Sequence, residues 1–168
     1  TIRLMNEGYY PDQIVEMVEL PDSIKSSPFL SEFYGTVRWS VKSIFNGYLG
    51  WFNGNPSDLD PLSRKEEAQK FAKLLGGEEL LLEALEKSVF DEDMQWALEL
   101  SDKLLALNYS TDKVNKLRQK ALLYIGLRAS NPNKRNYFLS SAMELGDDFD
   151  GYPVAERTEE GVKEISID

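Results

Sequence analysis

Apolar residues recur at helical spacing along most of this chain, and one such pattern lies between residues 36 and 49. Its apolar positions are three and four residues apart, which places them on one face of a helix. They are Val37, Val41, Ile44, Phe45, Tyr48 and Leu49. Gly50 and the Asn-Gly-Asn-Pro segment at 53–56 end the pattern, because glycine and asparagine accept positive φ and proline lacks an N–H donor. The pattern predicts a buried central helix, followed by an aromatic turn at Trp51 and Phe52.

Before this helix, the sequence predicts only short elements. Pro11 suits the first position of a short helix, and the Leu20-Pro21 pair ends it. A turn-rich linker at residues 22–27 follows. The apolar residues after the linker are expected to form a short anchor, and they are Phe29, Leu30 and Phe33.

After the aromatic turn, helices of similar length follow one another with short breaks. Ser63 is a predicted N-cap, and Glu66 completes a capping box at the start of a helix over residues 64–75. Gly76 ends that helix, and a further helix is predicted over residues 78–90.

The sequence after the helix predicted at residues 78–90 contains an internal repeat, and the alignment of its two copies places Leu104 opposite Ala142. Tetratricopeptide repeats have a slightly shorter period, about 34 residues, with two helices each. The polar insertion at residues 130–133 accounts for the extra length. We therefore predict an all-α fold, a helical bundle with tetratricopeptide-like helix pairs in the C-terminal half. The alternative is a plain bundle without the curvature of a solenoid.

Composition excludes several classes of chemistry. The 168 residues include no histidine and no cysteine. Imidazole is the commonest transition-metal ligand and the usual general base near neutral pH. A Ser-His-Asp or Cys-His nucleophile is impossible without histidine. We therefore expect no catalytic residue and no metal ligand set in this chain.

Charge and hydropathy limit the partners. The net charge of −10 weighs against nucleic acid, since phosphate binding needs a concentrated positive face. No apolar run approaches the ~18 residues that a membrane span requires. The composition is that of a soluble protein and fits a cytoplasmic, periplasmic or secreted location. Residues 146–168 carry a net charge of −6 with little apolar periodicity, which predicts an acidic linker or tail.

Four segments of the chain resemble a known family. The most specific is YGTVRWSVKSIFNGYLGWFNGNPSDLDPL, from residue 34 to 62. The others are TIRLMNEGYYPDQIVEMVELP, QWALELSDKLLAL and KRNYFLSSAMEL. Together they resemble the dimerisation domain of alkyl sulfatases, the zinc enzymes of the metallo-β-lactamase superfamily that hydrolyse alkyl sulfate esters.

The resemblance implies a domain over residues 1–145 that forms a homodimer and helps to close a substrate cleft. It further implies an upstream metallo-β-lactamase-like domain that holds the zinc and a downstream sterol-carrier-like domain. This chain alone is then a fragment of a sulfuric ester hydrolase and inactive. The alternative is a free-standing tetratricopeptide-like module that binds a protein partner. Residues 34–56 favour the first interpretation, because a peptide-binding repeat has no need for them.

Five residues are candidates for binding an alkyl sulfate. Arg38 offers a planar fork of donors for a sulfate group, with Lys42 one turn further along the predicted helix. The aromatic turn combines rings with an amide and a hydroxyl, which suits an alkyl chain with a polar head. The candidates are Tyr34, Arg38, Tyr48, Trp51 and Asn53. The alternatives are a solvated or salt-bridged flank for the charges and a core with a capped turn for the rings.

The N-terminal third of the chain also holds more large rings than a short helical layer can cover. Trp39 lies off the main apolar face of the predicted helix, since it is two residues from both Val37 and Val41. We expect part of this aromatic surface to contact a second subunit or another domain. The candidates for this interface are Trp39, Phe45 and Phe52.

Overall fold

A computed structural model describes residues 1–146, and within that part of the chain all regular structure is helical. The predicted all-α class is therefore confirmed. The predicted acidic tail lies outside the described residues, apart from Gly146. The helices are α1 (Ile2–Asn6), α2 (Pro11–Met17), α3 (Asp22–Lys25), α4 (Val37–Leu49), α5 (Arg64–Leu75), α6 (Glu78–Phe90), α7 (Met94–Ala106), α8 (Thr111–Arg128) and α9 (Pro132–Glu144).

The helices form two groups, each with its own core. In the N-terminal group, α1, α2 and α4 pack on one another. In the C-terminal group, α5 to α9 pack as a series of sequential neighbours. No helix of the first group contacts a helix of the second within residues 1–146. The N-terminal core consists of Leu4, Ile14, Val15, Val41 and Phe45, whereas the C-terminal core is more than twice as large.

Local sequence signals fix the helix ends in the C-terminal group. The hydroxyl of Ser63 accepts from the Glu66 amide, and the Glu66 carboxylate accepts from the Ser63 amide at 3.1 Å. This confirms the predicted capping box. Gly76 ends α5 with a φ of 103°, a left-handed conformation that a side chain would strain.

The predicted repeat recurs in the helices themselves. Helices α7 and α9 each have 13 residues, and both their first and their last residues are related by the same offset as Leu104 and Ala142. Leu104 and Ala142 are both fully buried. The C-capping residues, Leu107 and Leu145, share the same backbone angles, φ −89° and ψ −8°. The repeat spacing is therefore real, whereas the tetratricopeptide-like pairing stays a prediction.

Gly126 lets α8 and α9 cross at close range. A Cβ atom at this position would lie 2.8 Å from Cδ2 of Leu139. Helix α8 continues two residues beyond this glycine, to Arg128. The missing side chain at this position allows the close helix–helix contact.

Helix α4 has nearly the predicted bounds, but it is not a buried central helix. Of its six predicted apolar positions, only Val41 and Phe45 are buried. Ile44, Tyr48 and Leu49 are exposed, because the helices that pack on α4 within residues 1–146 are the short α1 and α2, which cover one side of it. The predicted anchor after the linker is likewise wrong, since Phe29, Leu30 and Phe33 are all exposed.

Candidate interface and cleft around helix α4

The N-terminus of α4 is held by two side chains. The Thr36 hydroxyl accepts from the Trp39 amide at 3.1 Å, and the Glu32 carboxylate accepts from the Val37 amide. Two otherwise unpaired amides of the first turn are thereby satisfied, and the carboxylate also complements the helix dipole. The position of α4 therefore depends on the loop that carries Glu32.

Several large apolar side chains, on different sides of α4 and in the following turn, are exposed. Trp39 is 41% exposed, Tyr48 70% and Trp51 73%. Ile44 and Leu49 add aliphatic area on the same helix. Large apolar side chains exposed in this number favour an interaction with a partner. We call Trp39, Ile44, Tyr48, Leu49 and Trp51 the α4 surface.

A network of side-chain amides fixes the turn after α4. The Asn53 side-chain oxygen accepts from the Asn55 amide at 2.9 Å, and both asparagine side chains donate to the Asp58 carboxylate. Gly54 adopts a φ of 94°, and a Cβ atom there would lie 3.5 Å from the Tyr10 ring. Glycine is therefore required for its backbone conformation, while an added Cβ would make only an ordinary contact with the ring.

A cleft of about 420 Å³ lies between α4, this turn and the start of α2. Its wall is mixed, with the indole of Trp51, the ammonium group of Lys42 and several amides. The same wall holds the carboxylates of Asp12 and Asp58, and the side-chain amides of Asn53 and Asn55 already donate to Asp58, so Lys42 is the one positive charge among the lining side chains. The lining residues are Tyr10, Pro11, Asp12, Lys42, Asn46, Trp51, Asn53, Asn55 and Asp58.

The structure brings together only part of the predicted binding set. Trp51 and Asn53 line the cleft, whereas Tyr48 is exposed beside it on the α4 surface. Arg38 points elsewhere and pairs with Glu16 at 3.2 Å on the protein surface. Tyr34 lies in the loop before α4, where its carbonyl accepts from Asn133. Neither Arg38 nor Tyr34 lines the cleft.

The predicted interface residues also differ in how they are placed. Trp39 is available on the α4 surface. Phe52 is half-buried and its ring lies 5.7 Å from that of Trp51. Phe45 is only 3% exposed, because its ring fills the N-terminal core within this chain. As an interface candidate, Phe45 is therefore corrected to a core residue.

Two residues that sequence reasoning missed connect the two groups. Asn131 and Asn133, at the start of α9, donate to backbone carbonyls in the loop before α4. Both residues lie in the polar insertion at residues 130–133, which was predicted only as extra length in the repeat. No local signal could have found these contacts, since 99 positions separate the partners and each acceptor is a main-chain oxygen.

The shifted pKa values lie at surface pairs outside the cleft. The Ser63 hydroxyl and amide hold the pKa of Glu66 below its usual value, and Lys25 does the same for the pKa of Glu19. The Glu92 carboxylate accepts a hydrogen bond from the Tyr124 hydroxyl group and raises the pKa of Tyr124. These shifts come from capping and pairing. Within the described residues, no cluster of three or more acidic, histidine or cysteine side chains could hold a metal ion.

Comparison with known families decides the assignment. The sequence profile named "Alkyl sulfatase dimerisation" matches residues 10–148, which is most of the chain. The chain belongs to the alkyl sulfatase dimerisation family. This confirms the family indicated by the YLGWFNGNP segment and favours it over a free-standing repeat module.

Members related to this alkyl sulfatase dimerisation domain are parts of larger enzymes. A linear primary-alkylsulfatase of Pseudomonas sp. (strain ATCC 19151) is 40% identical over 90% of this chain and 29% of its own length. An alkyl/aryl-sulfatase of Saccharomyces cerevisiae is 30% identical over 86% of this chain and 22% of its own. The solved structure of a stereoselective inverting sec-alkylsulfatase from Pseudomonas sp. matches with a TM-score of 0.79, at 27% identity over 91% of this chain and 24% of that chain. The chain spans about a quarter of the length of these relatives.

Within residues 1–146, no helix combines the length and apolar character that a bilayer crossing requires.

Proposed function

We propose that this domain holds together a homodimeric, zinc-dependent alkyl sulfatase that hydrolyses alkyl sulfate esters, and that it forms part of the substrate cleft. The observation that carries the proposal is the α4 surface, which belongs to the family segment matched by the profile and is not covered by any part of residues 1–146. Apolar surface left open in a single chain is the surface that association covers. The domain occupies residues 1–145, and an acidic linker follows it.

The zinc belongs outside this chain. A hydrolytic zinc site uses three protein ligands, most often with histidine among them. This chain has no histidine and no cysteine, so its residues do not fit the metal. We propose that an upstream metallo-β-lactamase-like domain supplies the ligands and a downstream sterol-carrier-like domain follows. Neither domain lies within residues 1–146.

The self-association of the wild-type chain tests the dimer directly. Obligate dimer interfaces bury roughly 2,000 Å² or more and are apolar. We expect sedimentation equilibrium to show a reversible dimer at micromolar concentration, because the α4 surface has no other cover within the described part of this chain. A strict monomer at high micromolar concentration would contradict the proposal.

We further propose that the cleft beside α4 receives the sulfate end of the substrate. Trp51 and Asn53 line it, and Lys42 would meet the sulfate in a wall that also holds Asp12 and Asp58. Tyr48, and Tyr34 and Arg38 further along the surface, would flank the alkyl chain rather than the sulfate. The arrangement supports this division because Arg38 is already paired with Glu16.

The cleft proposal predicts binding that depends on Lys42. Octyl sulfate, below its micelle concentration, is expected to bind the chain, and Lys42→Gln to weaken binding by about tenfold through loss of one charge-assisted hydrogen bond. Isothermal titration calorimetry measures both affinities. The matched control is Lys65→Gln on α5, outside this cleft. Equal affinity for octanol, or equal weakening by the control, would show that the sulfate is not recognised at this cleft.

A further inference from the structure

The start of α9 reaches across to the N-terminal group through two parallel hydrogen bonds. The Asn131 side-chain nitrogen donates to the Glu32 carbonyl at 2.8 Å, and the Asn133 side-chain nitrogen donates to the Tyr34 carbonyl at 2.8 Å. Donors and acceptors are both two residues apart, so the contacts are in register. They join groups whose helices make no contact with each other in residues 1–146.

Both polar atoms of the Asn131 side-chain amide form hydrogen bonds. Its oxygen accepts from the Lys134 amide at 2.9 Å and caps α9, while its nitrogen makes the bond to Glu32. The residue is 5% exposed. A buried amide of this kind is expected to have its polar atoms paired, and leaving one unpaired is costly.

Helix α7 provides an internal comparison for this cap. Its N-cap is Asp93, which occupies the position equivalent to Asn131 in the repeat and accepts from the Trp96 amide. A carboxylate is therefore sufficient to begin a helix in this fold. An asparagine can cap and donate at once, whereas an ionised aspartate can only accept. The side-chain nitrogen at position 131 therefore makes a hydrogen bond, to the Glu32 carbonyl, that the capping of α9 does not require.

The loop held by these bonds in turn fixes α4. The Glu32 carbonyl accepts from Asn131, and the Glu32 carboxylate accepts from the Val37 amide in the first turn of α4. The same loop holds Phe33 and Tyr34 on the protein surface, where both are more than half exposed. One residue therefore couples the position of α9 to the start of the helix that carries the α4 surface.

We propose that Asn131 and Asn133 form an amide clamp that positions the loop at 32–34, and through Glu32 the first turn of α4, against the C-terminal group. The clamp sets the orientation in which the α4 surface is offered to a second copy of this chain. This last step rests on the proposed dimer. The clamp itself is a property of the single chain.

The test separates capping from clamping by replacing amides with carboxylates. Asn131→Asp keeps a good N-cap for α9 but removes the donor to Glu32 and places a negative charge beside its carbonyl. Asn133→Asp does the same for the bond to Tyr34. Asn136→Asp is the matched control for each single variant, because it adds one negative charge at an exposed position of the same helix.

The clamp is tested by the hydrogen-exchange rates of the backbone amides in the full chain, measured at a concentration at which the chain is monomeric. For the double variant, amides in residues 32–40 should exchange about tenfold faster than in the wild type, while those of α9 are unchanged. The control should match the wild type in both segments. Unchanged exchange in residues 32–40, or equal loss of protection in α9, would overturn the clamp.

Sedimentation of the same variants tests the last step. If the wild type dimerises and the clamp variants dimerise about tenfold more weakly, the orientation step is supported. If exchange accelerates but dimerisation is unchanged, the clamp is local and that step is wrong. If the wild type is a monomer while exchange still accelerates, the proposed dimer fails and the clamp stands.

Discussion

Trp39→Glu is expected to weaken dimerisation of this chain by about 30- to 700-fold, which corresponds to roughly 2–4 kcal/mol for the loss of a central interface tryptophan. Trp39 lies on the outer face of α4 and is 41% exposed in the single chain. Burying a carboxylate where an indole packed adds a desolvation cost to the lost contact. Sedimentation equilibrium over a concentration series gives the two dissociation constants.

The matched control for this variant is Leu74→Glu. Leu74 is also apolar, it is 85% exposed, and it lies on α5 in the C-terminal group. Both substitutions change the charge by the same amount, so general repulsion between acidic chains affects them equally. Weakening by Leu74→Glu with no effect of Trp39→Glu would place the interface on the C-terminal group.

The purified chain is expected to show no hydrolysis of dodecyl sulfate, even with zinc added. It has no histidine or cysteine for the metal, and metal-bound water is the nucleophile that zinc hydrolases generate at neutral pH. Sulfate release measured against a blank checks this expectation. A positive control is an intact alkyl sulfatase assayed in the same buffer.

Two outcomes would contradict this expectation. One is turnover that survives repurification and is abolished by a chelator, since this would require a metal site made by this chain. The other is turnover that a chelator leaves unchanged, since this would require a metal-free mechanism. Either result would also remove the need for an upstream catalytic domain.

Helix ends in the C-terminal group could be predicted because their causes are local. Ser63 and Glu66 satisfy each other's amides three residues apart, and Gly76 supplies the left-handed residue that ends α5. The spacing between Leu104 and Ala142 also equals the spacing between the bounds of α7 and α9, since both residues face the core.

The residues that pack against α4 could not be predicted in the same way. Periodicity identifies the apolar face but does not show what packs against it, so Val41 and Tyr48 look equivalent in the sequence. In the structure Val41 is buried by the short N-terminal helices, whereas Tyr48 extends beyond them. The composition of the cleft was missed for a related reason, because the chain reversal after Gly50 brings Trp51 to Lys42 and not to Arg38.

Helices α7 and α9 have the dimensions of a duplicated unit, with equal lengths and equal terminal angles. Their N-caps differ, Asp93 in the earlier helix and Asn131 in the later one. Aspartate and asparagine codons differ by a single base. In evolutionary terms, one base change therefore separates a residue that only caps its helix from a residue that caps its helix and also binds a loop 99 positions away.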